Sequence, residues 1–131
     1  CHAQDCQGAP PGEWVFVFDC WYGPGVLTHP PVTRVKRLGD GPCRLLQIAE
    51  PSMRINENIA DVNYTFLAVD PASGTGSEFH EMHSMRYFFT PELDFALRVV
   101  GFECLAITEW MTGRQPNSKT WSVSVAARNA P

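Results

Sequence analysis

Residues 13–25 read EWVFVFDCWYGPG. From Trp14 to Trp21, six of eight residues are large and apolar. The run ends in Asp19, Cys20, the aromatic pair Trp21–Tyr22 and a Gly-Pro-Gly turn. An unbroken apolar run of this length predicts a strand covered on both faces, as in parallel α/β sheets. Such a strand needs neighbours on both edges, and its polar, aromatic end is where open α/β sheets bind ligands.

Working outward, the lead CHAQDCQGAPPGE (1–13) is polar and rich in Pro and Gly. It has neither a basic n-region nor an apolar h-region, so no signal peptide is read in it. After the strand, GPGVLTHPP (23–31) predicts a loop, because prolines and glycines dominate it. The texture then changes to alternation. TRVKRL (33–38) and CRLLQIA (43–49) read as strands, with Pro51 interrupting and MRI (53–55) resuming. DVNYTFLAVD (61–70) sets Val62, Tyr64, Phe66 and Ala68 against Asn63, Thr65, Leu67 and Val69. PASGTGS is its turn, and EFHEMHSMRYFF (78–89) its hairpin partner. Positions 31–87 therefore predict an antiparallel sheet.

Past position 89 the period lengthens. Thr90 is a candidate N-cap with Pro91 at the first helical position. Leu93, Ala96, Leu97 and Val100 follow the i, i+3, i+4, i+7 spacing of one helix face, and Gly101 is a natural stop. FECLAITEW (102–110) and TWSVSVAAR (120–128) read as two strands joined by a loop.

The 131 residues are 44% hydrophobic and 18% charged, enough for a core in one domain, and the net charge is −4. No basic stripe points to nucleic acid. No apolar run approaches the roughly 18 residues of a membrane helix. The five cysteines (Cys1, Cys6, Cys20, Cys43, Cys104) are odd in number and form no CxxC pair, which fits reduced thiols in a cytoplasmic protein.

Taken together these residues resemble the C-terminal half of class I S-adenosylmethionine-dependent methyltransferases. A segment like PPGEWVFVFDCW (10–21) is that family's fifth strand. EMHSMRYFFTPELDFALRVVGFE (81–103) is similar to the strand, helix and Gly-Phe that lead to its sixth, and KTWSVSVAAR (119–128) to its closing seventh. The middle block resembles the antiparallel insert that small-molecule N- and O-methyltransferases place over the active site. The resemblance implies an α/β fold, the C-terminal part of a Rossmann-like sheet, as a single partial domain. Positions 1–30 and 88–131 would be its core, and 31–87 the insert.

That family binds S-adenosylmethionine mainly through its N-terminal half. A Gly-rich turn after the first strand admits the methionine part, and an acidic residue ending the second holds the ribose. This sequence contains neither. The GxG within SGTGSE (73–78) falls between two antiparallel strands, not between a strand and a helix. The resemblance thus implies a domain whose strands one to four are absent, inactive by itself.

Candidate site residues follow from position. Asp19, Trp21 and Tyr22 end the first strand. The resemblance puts that end at a small-molecule acceptor, with Asp19 orienting or deprotonating it and the two rings walling the pocket. The plain alternative is a turn cap and core aromatics. In HEMH, alternation puts Glu81 and His83 on one face and His80 on the other. Glu81 can fix the tautomer of His83, which can then take a proton from the acceptor; the alternative is two solvated residues. A zinc pair of His80 and His83 is geometrically poor on a strand. Arg86, on the face opposite His83, can bind a substrate carboxylate or phosphate, or pair with Glu92 or Asp94.

Loss of strands one to four bares an edge of strand 14–20, and a bare apolar edge invites pairing with another chain. The expected partners are a second copy or the missing N-terminal half. Two other readings stand beside the methyltransferase fragment: a non-enzymatic small-ligand module whose aromatic block surrounds an apolar ligand, and an interaction protein derived from an enzyme half.

Overall fold

The computed structural model describes residues 14–39 and 44–129. Cys1, Cys6, Cys43 and the 1–13 lead lie outside them. The chain divides into two compact units, one built from the chain before Pro31 and from Tyr87 onward, the other from Pro31–Arg86.

In the first unit, β1 (Val15–Tyr22) is followed at once by α1 (Gly23–Thr28). After α2 (Thr90–Val99) come β6 (Phe102–Glu109) and β7 (Ser122–Asn129). The last strand sits between the other two. β7 pairs antiparallel with β1, from Val15 opposite Arg128 to Trp21 opposite Ser122. On its other edge it pairs antiparallel with β6, with an irregularity between Cys104 and Ala106. Alternation decides what is buried. Val123, Val125 and Ala127 of β7 are fully buried and pack with Leu93 and Leu97 of α2. Phe18, Cys20, Tyr22, Phe88, Phe102, Cys104 and Ile107 surround that cluster.

Two expectations for β1 need correcting. The layer is mainly antiparallel, not parallel. Its parallel pairing is confined to Trp21 with Tyr87 and Tyr22 with Phe88. An apolar run reports burial potential but carries no information on the direction of the neighbouring strands. Nor is β1 covered on both faces: Val15 and Val17, facing away from α2, are 40% and 43% exposed. Over Val15–Cys20 its edge away from β7 has no strand partner among the described residues.

The expected loop at 23–31 contains a helix instead. Pro24 lies in the first turn of α1, where its fixed φ and missing N–H cost nothing. Thr28 Oγ1 donates to the Pro24 carbonyl at 2.6 Å. Gly25 sits so close to β7's approach that a Cβ there would lie 1.8 Å from the Thr120 carbonyl oxygen. The glycines that suggest a loop by composition are here required by packing. At α2 the cap falls one residue earlier than expected: Phe89 is the extended N-cap, and Thr90 is already helical. Gly101, at φ 82°, closes the helix end as anticipated.

The second unit is a meander of β2 (Arg34–Leu38), β3 (Arg44–Arg54), β4 (Ile59–Val69) and the Gly76–Arg86 part of β5 (Gly76–Phe88). All its pairings are antiparallel. Pro51 does not interrupt β3; it lies opposite Val62. β2 reaches only as far as Ala49, so at Pro51 β3 has β4 on one side alone, and a proline without N–H is tolerated there. A 3₁₀ turn at Ile55–Glu57, with Asn58 in the left-handed region, joins β3 to β4. Next to it Asp61 accepts from Arg54 Nε at 2.7 Å and from Ser84 Oγ at 2.5 Å. These donors hold its carboxyl below the usual value. Arg54 also pairs with Glu57.

Candidate functional site

Within the first unit the candidate residues end β1. Asp19 is exposed and lies opposite Ser124. Strand alternation puts Trp21 on the face of Asp19 and Tyr22 on the other, where Tyr22 packs against the α2 core. The Trp21 ring lies 5.3 Å from that of Trp121, inclined by 58°. Between Asp19 and Trp21 in sequence, Cys20 is a free thiol, and its pKa is raised to about 11 by burial first and by the negative charges of Asp19 and Glu92 next.

One residue here escaped sequence reasoning. Tyr87, in register with Trp21, is fully buried, and its hydroxyl has no hydrogen-bond partner among the described residues. Its ring meets that of Phe89 edge-on at 6.1 Å. Phe89 in turn covers Gly23, where a Cβ would come within 2.5 Å of the ring. The alternation that separates Tyr87 from Phe88 was the available signal. A buried hydroxyl without a partner is uncommon, and it marks this end of β1 as polar in a way composition does not.

Within the second unit one sheet face carries an aromatic ladder. Phe66 and Phe79, cross-strand partners, stack at 4.6 Å and 7°. Tyr64 stacks on Phe66 at 6.1 Å and meets His83 edge-on at 5.3 Å. On the same face His83 Nε2 lies 3.3 Å from Glu81 Oε2, with both side chains 53% exposed. His80 is on the opposite face, its Nδ1 3.1 Å from Thr65 Oγ1 and its Nε2 2.9 Å from Glu78. Among the described residues no group of three or more His, Cys, Asp or Glu side chains can hold a metal. Arg86 also lies on the face opposite His83, paired in register with Ile59. Asp94, considered as its partner, bonds Arg98 at 3.0 Å one helical turn on.

The GxG at Gly74–Gly76 is a hairpin turn. Gly74 N donates to the Asp70 carbonyl at 2.9 Å, and Asp70 Oδ1 accepts from Ala72 N at 2.9 Å. Gly74, at φ 70°, has nothing within 4 Å of a Cβ position. It joins two antiparallel strands and precedes no helix, so it lacks the converging N–H groups of a nucleotide cradle. This turn does not fit S-adenosylmethionine.

No family model matches the chain, and no curated protein matches it. Solved structures do. A S-adenosylmethionine-dependent methyltransferase from Clostridium acetobutylicum superposes with a TM-score of 0.64 at 13% identity, over 89% of this chain and 45% of that one. The sugar N-methyltransferase KedS8 from Streptoalloteichus gives 0.62 at 15% identity, over 85% and 41%. CalS10 from Micromonospora echinaspora, an amino pentose methyltransferase solved with S-adenosylmethionine bound, gives 0.54 at 16%, over 75% and 36%. The chain spans less than half the length of each. In fold the chain is similar to a part of these methyltransferases, a mixed α/β sheet that includes an antiparallel block.

Proposed function

We propose that this chain is the acceptor-side part of a S-adenosylmethionine-dependent methyltransferase acting on a small molecule, and that it is inactive alone. The observation that carries the reading is the β1–β7–β6 order, with Asp19 and Trp21 at the carboxyl end of β1, in a fold shared with small-molecule methyltransferases. Asp19 would accept a hydrogen bond or proton from an acceptor amine or hydroxyl, and the Trp21 ring would exclude water beside it. In the second unit, Glu81 would orient the imidazole of His83 as a proton acceptor. Methyl transfer demands position and a dry site more than acid–base chemistry, so few such groups are needed. The methyl donor would be held by the cofactor-binding half, docked along the bare Val15–Cys20 edge.

Titration calorimetry with S-adenosylmethionine tests this. The isolated chain should show no binding, and binding should appear on mixing with a polypeptide that carries the cofactor-binding half. Tight binding to the chain alone, or none to the mixture, overturns the proposal. A second reading, a non-enzymatic module for apolar ligands, is favoured by the Tyr64–Phe66–Phe79 ladder. An apolar dye quenched by that ladder without cofactor, and released by Phe79→Ala, would support it instead.

A further inference from the structure

We propose that the end of the first unit's sheet that carries Asp19, Trp21 and Trp110 binds a small organic ammonium ion, one whose charge is wrapped in methyl or methylene groups. This names a ligand class for the acceptor site and rests on that reading for the ligand's role, but the binding itself requires no methyl donor.

The register builds the site. Trp21 lies opposite Ser122 of β7, and on the other edge of β7 Trp110 N donates to the Ser122 carbonyl at 3.0 Å. Asp19, Ser124 and Thr108 form the next row. Alternation puts these six residues on one face, opposite to Tyr22, Val123 and Ile107, which belong to the α2 core. The middle strand offers only serines here, so the face is low along β7 and raised by an indole on each side. Strands about 4.8 Å apart put the two tryptophans about 10 Å apart at the backbone. A group above Ser122 can then lie within about 6 Å of both rings, the reach of a cation–π contact. Trp121 braces the Trp21 ring at 5.3 Å.

The charge here is unanswered. Asp19 is exposed and has no ion-pair partner among the described residues. The residues outside them contain no Lys or Arg. Arg128, on the same face, is bonded to Glu103 at 2.7 Å near the far end of β7. The segments that carry the site, 19–22, 108–110 and 121–124, all lie within the described residues. A plain reading makes Asp19 a solvated acid and the Trp21–Trp121 contact packing. It does not account for Trp110, 47% exposed and aligned with Trp21 across Ser122. A methylated ammonium suits the three groups together. Its methyl groups cover indole faces, its charge is drawn to both rings, and Asp19 supplies the counter-charge. An anion would be repelled by Asp19, and an inorganic cation offers the indoles no apolar surface.

The test is a titration of the 131-residue chain with choline at constant ionic strength, followed by amide shifts of Ser122 and Ser124 in NMR spectra. Saturable shifts are expected at those residues. The neutral isostere 3,3-dimethylbutan-1-ol has the same shape without the charge and should bind at least about tenfold more weakly. Asp19→Asn, which removes the counter-charge, and Trp110→Leu, which keeps apolar bulk but removes the ring, should each weaken choline about three- to fivefold. Glu78→Gln, which removes the same charge from the second unit, should leave it unchanged. Four results overturn the proposal: no saturation by about 50 mM, the isostere binding as well as choline, either site variant binding choline as the parent chain does, or a loss on Glu78→Gln equal to that on Asp19→Asn. Asp19 and Trp110 are exposed, so the variants should fold; unchanged amide spectra without ligand would verify that. Failure of the calorimetric titration with S-adenosylmethionine would remove the acceptor role and leave the ammonium site, whereas absence of choline binding would remove the site alone.

Discussion

The two units differ in how much of an apolar core they close. The first closes a core, with Val26, Tyr87, Val123, Val125 and Ala127 inaccessible and Leu93 and Leu97 nearly so, although Phe95, Trp110 and Met111 on its surface are 70%, 47% and 83% exposed. In the second, Ala60 and Val62 are the buried apolar side chains among the described residues, while Phe79 and Met82 are 46% and 66% exposed. One unit is held by a helix packed on a sheet, and the other by long antiparallel ladders between eleven-residue strands. The contrast separates two roles. Burial fixes the end of β1 in position, and the open ladder leaves aromatic and titratable side chains exposed.

The hardest test of that contrast is Gly25→Ala. A methyl group there would meet the Thr120 carbonyl, which belongs to the backbone and cannot rotate away. The expected loss is about 3 kcal/mol or more, read by urea unfolding through tryptophan fluorescence. Gly74→Ala in the second unit adds a methyl to open space at positive φ and should cost only about 1–2 kcal/mol. Equal effects would mean that the first unit is not packed as described.

A smaller difference is expected between Leu97→Ala and Phe79→Ala. Leu97, 7% exposed in the α2 core, should cost about 2–4 kcal/mol. Phe79 loses mainly its stacking on Phe66, worth about 0.5–1.5 kcal/mol. The reverse order would refute the assignment of stability to the first unit.

The least perturbing probe is pH. Cys20 has a folded pKa of about 11 against an ordinary value of 9.0. The folded state therefore keeps its proton longer, so this contribution is complete below pH 9 and is lost as pH rises toward 11. Cys20→Ser should flatten that alkaline decline, and iodoacetamide at pH 9 should label Cys20 on the order of tenfold more slowly in the folded chain than in urea. Asp61 in the second unit runs the other way. Its depressed pKa stabilises above the ordinary carboxylate value of 3.8, and this is lost as pH falls below it. Asp61→Asn should remove that acid-side decline and leave the alkaline one alone.

Much of the fold was legible because it rests on period. The Leu93–Leu97 spacing marked α2, and alternation marked the middle strands and the shared face of Glu81 and His83. What escaped has specific physical causes. α1 is spelled with glycine and proline, which read as a loop unless the neighbour that forces Gly25 is known. Pro51 reads as a break unless β2 is known to end before it. The direction of β1's partners is not encoded in β1, so a mainly antiparallel layer looked parallel. At the candidate site, alternation alone separates Trp21 from Tyr22. Tyr87 lay hidden inside an aromatic run, because an unmet hydroxyl is a property of its surroundings and not of its letter.

The approach of α1 to the chain entering β7 also sets a spelling rule for descent. Position 25 has room for no side chain, alanine included. At 13–18% identity to its structural neighbours, this chain has few anchors for alignment. A glycine three residues past the aromatic pair that ends the first strand is one that sterics, rather than ancestry, would preserve.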